Sequence, residues 1–325
     1  MTTGTALVTF DTTPAVPAPL LDLVEDARDF ATCARAGNTV RAYRAAWADF
    51  TGWCAAQGID PLPAHPGVVA LYLTAQAKAG LKVSTLRLRL AGIAAAHRSA
   101  GHPFDLKHRQ LDEVWAGIRR RLGTRQARKA AVLYDDLARM VNALPNTLIG
   151  KRDRALLLIG FGSALRRSEL VALQFEDVQE TEKGLKVLIR RSKTDQEGEG
   201  HELAIHRGRG KGTCPVAALD AWLKSAGITA GPIFRPVSRG GRALDQQLTA
   251  QSAAQVVKDA AEAVGLDPKL YAGHSLRAGL CTSAALKGAD LTQIMKQSRH
   301  KTVDVARRYV RDADIWRGNV TKGLL

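Results

Sequence analysis

"GHSLRAG" (residues 273–279) sets a His and an Arg three residues apart between two glycines, at the head of a segment patterned as a helix. Residues i and i+3 of a helix leave from the same face. His274 and Arg277 can therefore present a proton-transferring imidazole and a bidentate guanidinium to one point. Packing asks for neither. A His-x-x-Arg pair is common by chance, however, and the stretch gains meaning only from its surroundings.

Three further stretches place polar residues where a core does not need them. Downstream, "SRHKTVDVARRYV" (298–310) puts His300 at the boundary of two short helices and Tyr309 on the second, among Arg307, Arg308 and Arg311. Upstream, "ALRRSELVAL" (164–173) follows an apolar helix with Arg166, and Glu169 lies three residues on, close enough to orient a guanidinium. Between them, "RRSKT" (190–194) carries Lys193 where a β-branched run enters a hairpin turn. Taken singly, each has a plain reading: a helix-end arginine at the surface, a turn lysine, a capping or core histidine, a half-buried packing tyrosine.

Composition limits what these residues can belong to. At 325 residues the chain is long enough for two domains, each with its own core. Lys and Arg number 47 against 31 Asp and Glu, a net charge of +16, which suits a partner made of phosphates. An anionic membrane is the competing partner, but no stretch approaches the roughly 20 apolar residues of a spanning helix. The longest apolar run, "ALLLIGFGSAL" (155–165), reads as a buried core helix. "MTTGTALVTFDTTPAVPAPL" lacks the basic and continuously apolar regions of a secretion signal, so the expected location is the cytoplasm. Cys33, Cys54, Cys214 and Cys281 are scattered without metal-ligand or disulfide spacing and are expected to be small core residues.

The chain divides by pattern. Residues 1–20, rich in Thr, Pro and Ala, read as a flexible tail. Residues 21–122 read as helical throughout. "NTVRAYRAAWADFTGWCAAQG" is the clearest case, with Asn38 or Thr39 available to cap its start and Gly58 its end. Further helices are expected at 66–79, 84–99 and 105–122. Basic clusters gather there, including Arg87 and Arg89, and Arg119, Arg120 and Arg121. A charge run is usually a solvated face, but several in one helical bundle suggest a DNA-facing surface. Residues 123–132, with Arg125, Arg128 and Lys129, read as a basic linker able to track a phosphate backbone. Residues 133–311 read as mostly α with a small sheet, whose hairpin is formed by "LKVLIRRSKT" and "HELAIH". The tail, residues 312–325, carries Ile315, Trp316, Val320 and Leu324 at nearly helical spacing.

In chain order the polar residues read Arg-x-x-Glu, Lys on a hairpin, His-x-x-Arg, His, then Tyr nine residues later. That order resembles the tyrosine recombinase, or phage integrase, family, through "ALRRSELVAL", "RRSKT", "GHSLRAG" and "SRHKTVDVARRYV". Among its members the chain looks most like the Cre-type simple recombinases. The resemblance implies a mainly α, two-domain, C-shaped DNA clamp: a helical, SAM-like core-binding domain and an α+β catalytic domain with a small β-sheet. It implies that Tyr309 attacks a DNA phosphodiester, giving a 3′-phosphotyrosyl bond and a free 5′-hydroxyl. Arg166 and Arg277 would clamp the scissile phosphate with support from His300. Lys193 would protonate the leaving oxygen, His274 would assist proton transfer and Glu169 would hold the cluster in place. The implied partner is double-stranded DNA with inverted-repeat half-sites, bound by a dimer per site and a homotetramer on two duplexes, with strand exchange through a Holliday junction and a C-terminal helix exchanged between protomers. The segment before the helical domain is too short for the extra arm-binding domain of some phage integrases, so a simple recombinase is expected. Many relatives carry Gly immediately before the second His, where this chain has Arg299, so the turn there is open to a different backbone geometry.

Physical chemistry supports these roles independently. A phosphodiester repels nucleophiles, and two fixed guanidiniums aimed at its oxygens remove that obstacle and stabilise the transition state. A tyrosine hydroxyl ordinarily titrates near ~10, so a cationic surround favours its phenolate. The phosphotyrosyl bond stores the energy of the broken linkage, so rejoining needs no ATP. No nucleotide-binding loop is present and the acidic residues form no two-metal cluster, so neither cofactor nor metal is expected. Two rivals remain open on the sequence: a type IB topoisomerase, which shares the Tyr, Arg and Lys chemistry, and a non-catalytic DNA-binding regulator on the same scaffold.

Overall fold

Helical periodicity and small-residue spacing build the first of two compact units, which divide between Gln126 and Ala127. The computed structural model describes residues 36–124, 129–190, 200–208 and 210–314, with a few isolated residues from Leu20 to Ala34 and Thr321. The first unit holds helices α1 (Gly37–Ala56), α2 (Pro66–Lys78), α3 (Val83–Ser99) and α4 (Arg109–Leu122). Their apolar faces meet in a core of Phe50, Cys54, Val69, Tyr72, Leu73, Leu86, Ile93 and Leu111. Gly92 lets α3 approach α1 closely, since a Cβ there would lie 2.7 Å from that of Ala46.

Two helix starts differ from the sequence reading. The N-cap of α1 is Ala36, not Asn38 or Thr39, and Asn38 instead accepts a hydrogen bond from Arg41 (3.1 Å). Helix α4 begins at Arg109 rather than 105. Asp105 accepts from the Lys107 backbone N–H at 2.7 Å, and this local turn competes with the helix. Gly58 does follow the end of α1, with φ +66°.

The second unit is built around α6 (Leu148–Ser163), whose residues 155–161 are buried. It packs on α5 (Tyr134–Ala143), α8 (Pro215–Ala226) and a three-stranded antiparallel sheet of order β1 (Val178–Thr181), β2 (Gly184–Ile189), β3 (His201–His206). Leu185 pairs with Ile205 and Val187 with Leu203, so the alternation of β2 puts one apolar face on the core. Strand β1 was not legible in the sequence because Gln179 and Glu180 leave it exposed and polar. The connection from β2 to β3 includes residues 191–199, which lie outside the described residues, and Lys193 among them. The unit continues with α9 (Ala250–Glu262), α10 (Ser275–Leu286), α11 (Leu291–Ser298) and α12 (Val303–Asp314); α7 (Arg167–Ala172) lies between α6 and β1. Cys54, Cys214 and Cys281 are buried; Cys33 is outside the described residues. Among the described residues no helix is long and apolar enough to cross a membrane.

Candidate active site

The apolar run of α6 ends at Ala164, which takes left-handed backbone (φ 49°, ψ 29°) and so turns the chain sharply. A non-glycine residue there costs roughly 1–2 kcal/mol, and the turn presents two groups. One is the Ala164 carbonyl. The other is Arg166, the N-cap of α7, whose third residue, Glu169, is 4 % exposed at its side chain. Glu169 Oε2 accepts the Arg166 backbone N–H (2.9 Å), and Oε1 accepts Arg166 Nη1 (2.6 Å).

The two glycines of the opening stretch now have a reason. A Cβ on Gly279 would lie 1.8 Å from the Val132 carbonyl oxygen, and one on Gly273 would meet the Arg167 side chain at 2.8 Å. Only glycine at 279 lets α10 seat against the segment whose Val132 N–H bonds the Ser275 carbonyl (3.0 Å). Seated so, α10 carries Arg277 to the turn after α6. Arg277 is 2 % exposed, and its Nη1 donates to the Ala164 carbonyl at 2.6 Å. Its Nη2 is buried without a protein partner. Burial, with repulsion from Arg166, draws this guanidinium down to about 10, still charged at neutral pH. His274 sits at the N-cap position of α10 and is exposed, whereas Arg277 three residues on is buried.

Arg299 ends α11 with left-handed backbone (φ 56°, ψ 42°). Its Nη2 reaches Glu169 Oε2 at 2.7 Å, and its side chain is only 8 % exposed. The sequence reading missed this contact. The turn keeps the conformation that glycine favours, although an arginine occupies it. Burial alone would push the Glu169 carboxyl up, but Arg299 and the hydrogen bonds from Arg166 outweigh it and hold the group below the usual carboxylate range.

His300 follows. Its ring stacks on Tyr309 with centroids 5.2 Å apart and planes inclined by 27°. Ser298 Oγ gives its single proton to the Ile294 carbonyl (2.6 Å), so at its 2.7 Å contact with His300 the donor is Nδ1–H, leaving Nε2 to accept. Burial, then Arg277, Arg166 and Arg299, lower His300 to about 4, so the ring is neutral at neutral pH. Tyr309 is half-buried on α12 against Cys281, Ala285 and Ile294, and Thr282 Oγ1 donates to its carbonyl (3.3 Å). The fold thus gathers Arg166, Glu169, Arg277, His300 and Tyr309, with Arg299 added. Two guanidiniums grip one carboxylate and a third, Arg277, lies beside them, a cationic cluster in which the buried Arg277 Nη2 keeps a donor that no protein group uses.

The other candidate residues are distributed as follows. Arg87, Arg119, Arg120 and Arg121 are exposed, whereas Arg89 is 19 % exposed at its side chain and held by Asp49 (2.5 Å) and the Tyr72 hydroxyl (3.1 Å). Lys129 is exposed and donates to the Lys269 carbonyl. Arg125, Arg128, the side chain of Arg311 and the tail residues Ile315, Trp316, Val320 and Leu324 lie outside the described residues.

Comparison with known proteins gives this arrangement its class. The fold is that of a solved site-specific recombinase, XerH, determined bound to palindromic difH substrate as a post-cleavage complex; the TM-score is 0.63 at 16 % identity, covering 95 % of this chain and 84 % of that one. The family model described as the phage integrase family matches residues 131–315, and the chain belongs to that family. It is 38 % identical over 291 residues to the integrase/recombinase xerD homolog of Selenomonas ruminantium, covering 88 % of this chain and 84 % of the relative. It is 24 % identical over 323 residues to the recombinase cre of Escherichia phage P1, covering 93 % and 91 %. The likeness therefore spreads over several recombinase types and does not single out the Cre type. The chain is a tyrosine recombinase, an enzyme of DNA recombination.

Proposed function

We propose that Tyr309 is the nucleophile of a site-specific recombination reaction, with Arg166 and Arg277 on the scissile phosphate and Glu169 holding Arg166. The observation that carries this reading is the stack of His300 on Tyr309 within the field of buried Arg277, whose Nη2 has no protein partner. A phosphate oxygen brought to Arg277 would satisfy that donor with a charge-assisted hydrogen bond. Attack by the Tyr309 oxygen on phosphorus, its phenol proton passing to His274, forms the 3′-phosphotyrosyl bond as the bond to the 5′-oxygen breaks, and Lys193 delivers a proton to that leaving oxygen. Guanidiniums already fixed by Ala164 and Glu169 need little reorganisation as charge develops, which is how such donors lower a barrier. His274 assists proton transfer from the rim. The religation step reverses these movements on a second duplex, through a Holliday junction.

The substrate in this reading is duplex DNA with inverted half-sites, bound by a dimer per site and a tetramer per synapse, in a cytoplasmic, nucleoid-associated setting. A type IB topoisomerase and a silent regulator are disfavoured, since the relatives named above are recombinases and the polar set is intact. The test is covalent trapping. Wild-type protein and Tyr309→Phe are incubated with nicked DNA carrying the inverted repeats that flank the gene, then denatured and run in SDS. The expected result is an adduct with wild type alone and unchanged DNA affinity in the variant. An undiminished adduct in Tyr309→Phe would assign the nucleophile elsewhere.

A further inference from the structure

Among the described residues, only Ala164 and Arg299 hold left-handed backbone without being glycine, and both stand in the cluster around Glu169 and Arg277. Ala164 uses its turn to offer a carbonyl to Arg277. Arg299 occupies a conformation in which glycine is more at ease, so its side chain must return something that glycine cannot. That side chain does not run to solvent as a helix-ending arginine ordinarily would. It turns inward, 8 % exposed, to Glu169 Oε2, and its Nε is buried without a protein partner.

We propose that Arg299 is a positioning residue for strand cleavage: a strut that fixes the Glu169 carboxylate, and through it Arg166, to the turn carrying His300. The proposal rests on the reading of Tyr309, Arg166 and His300 given above. Glu169 is gripped from two sides, with Oε1 on Arg166 Nη1 and Oε2 shared by the Arg166 N–H and Arg299 Nη2. Without Arg299 the second grip keeps only a backbone donor that cannot tie α7 to α11. Glu169 and Arg166 then hold only each other, and nothing ties the pair to the turn that carries His300. Folding has an independent tether at this place. Gln297, on the last turn of α11, donates to the Gly162 carbonyl (2.8 Å) and the Ala204 carbonyl (3.0 Å), holding α11 to α6 and β3. Loss of Arg299 should therefore loosen the site without unseating the helix.

The experiment compares full-length wild type with Arg299→Gly, Arg299→Asn, Glu169→Gln, Glu169→Gln/Arg299→Gly and Tyr309→Phe. It reads the thermal midpoint, the DNA dissociation constant and the single-turnover rate of adduct formation at saturating protein. Gly and Asn both accept left-handed backbone and neither reaches Glu169, so one serves where the other folds poorly. The expected result for both is a cooperatively folded protein whose midpoint is lowered, because the buried Glu169 carboxylate loses one of its cations, with affinity within about threefold and a cleavage rate lower by about 10- to 100-fold, the usual cost of losing a partner that orients a reacting group. Because the strut acts through Glu169, the double variant should be no slower than Glu169→Gln alone. Wild-type cleavage by Arg299→Gly or Arg299→Asn, with Tyr309→Phe inactive, overturns the strut and leaves the site reading intact. Rate losses that multiply in the double variant overturn it too, because Arg299 would then act apart from Glu169. An adduct in Tyr309→Phe instead overturns the underlying reading.

Discussion

His300 shows how much one residue's surroundings decide. A histidine on an open surface is partly charged near neutrality, but here burial and then Arg277, Arg166 and Arg299 lower it to about 4. In the first unit His97 is lowered as well, chiefly by burial; it donates from Nδ1 to the Ile93 carbonyl (2.9 Å) and accepts the Ala64 N–H at Nε2 (2.9 Å). Protonation would remove that acceptor. The sign of the resulting pH dependence is fixed. Both groups titrate lower in the folded chain than unfolded, where a histidine takes its proton near ~6.5. Between those values the unfolded chain binds more protons, so stability is complete above about 6.5 and is lost as pH falls. The thermal midpoint should therefore drop between about pH 7 and pH 5, and His300→Gln should flatten part of that slope. An identical slope in the variant would mean that His300 is not the group being titrated. A bound phosphate, by offsetting the three guanidiniums, should raise His300, so DNA binding near pH 5.5 should take up protons in wild type more than in His300→Gln, read by calorimetry in two buffers.

Among the helices, two glycines inside regular segments have opposite meanings. A Cβ at Gly279 would lie 1.8 Å from a backbone oxygen, so Gly279→Ala must push α10, and Arg277 with it, away from Val132. The expected cost is about 1–3 kcal/mol or more, read as a lower thermal midpoint together with slower cleavage. At Gly117 in α4 a Cβ meets nothing within 4 Å, so Gly117→Ala should raise stability by about 0.5–1 kcal/mol. The same comparison tells how far the sequence could be read. Helices such as α1 and α6 were legible because their apolar residues recur at helical spacing or run unbroken. The order of Arg166, Glu169, Arg277, His300 and Tyr309 was legible because the family pattern is local text. Strand β1 was not, because exposed polar residues mask its alternation. Nor was the role of Arg299, since its ion pair with Glu169 joins residues 130 apart in the chain and no spacing encodes such a contact. The only signal was the arginine in glycine's place.

The whole molecule carries a net charge of +16, but equal charges are not equally available to DNA. Arg89 is committed within its own unit to Asp49 and Tyr72, a pairing that holds α3 to α1 and α2. Arg119, Arg120 and Arg121, in the last turn of α4, are exposed, and among the described residues no ion pair engages them. Each phosphate contact releases condensed counterions, so it adds about 0.9 to the slope of log affinity against log salt. Two variants separate the classes. Arg119→Ala/Arg120→Ala/Arg121→Ala should leave the thermal midpoint near wild type, weaken DNA binding across sequences, and reduce the salt slope by about 0.9 for each of the three that touches a phosphate. Arg89→Ala should do the reverse, lowering the midpoint because Asp49 and the Tyr72 hydroxyl lose their cation, while leaving the slope of the folded protein unchanged. Titrations between about 50 and 200 mM salt measure both slopes. If the triple variant keeps the wild-type slope, the basic end of α4 is a solvated face and the phosphate contacts lie on other elements. If Arg89→Ala lowers the slope while the midpoint holds, its pairing with Asp49 is not what that arginine is for.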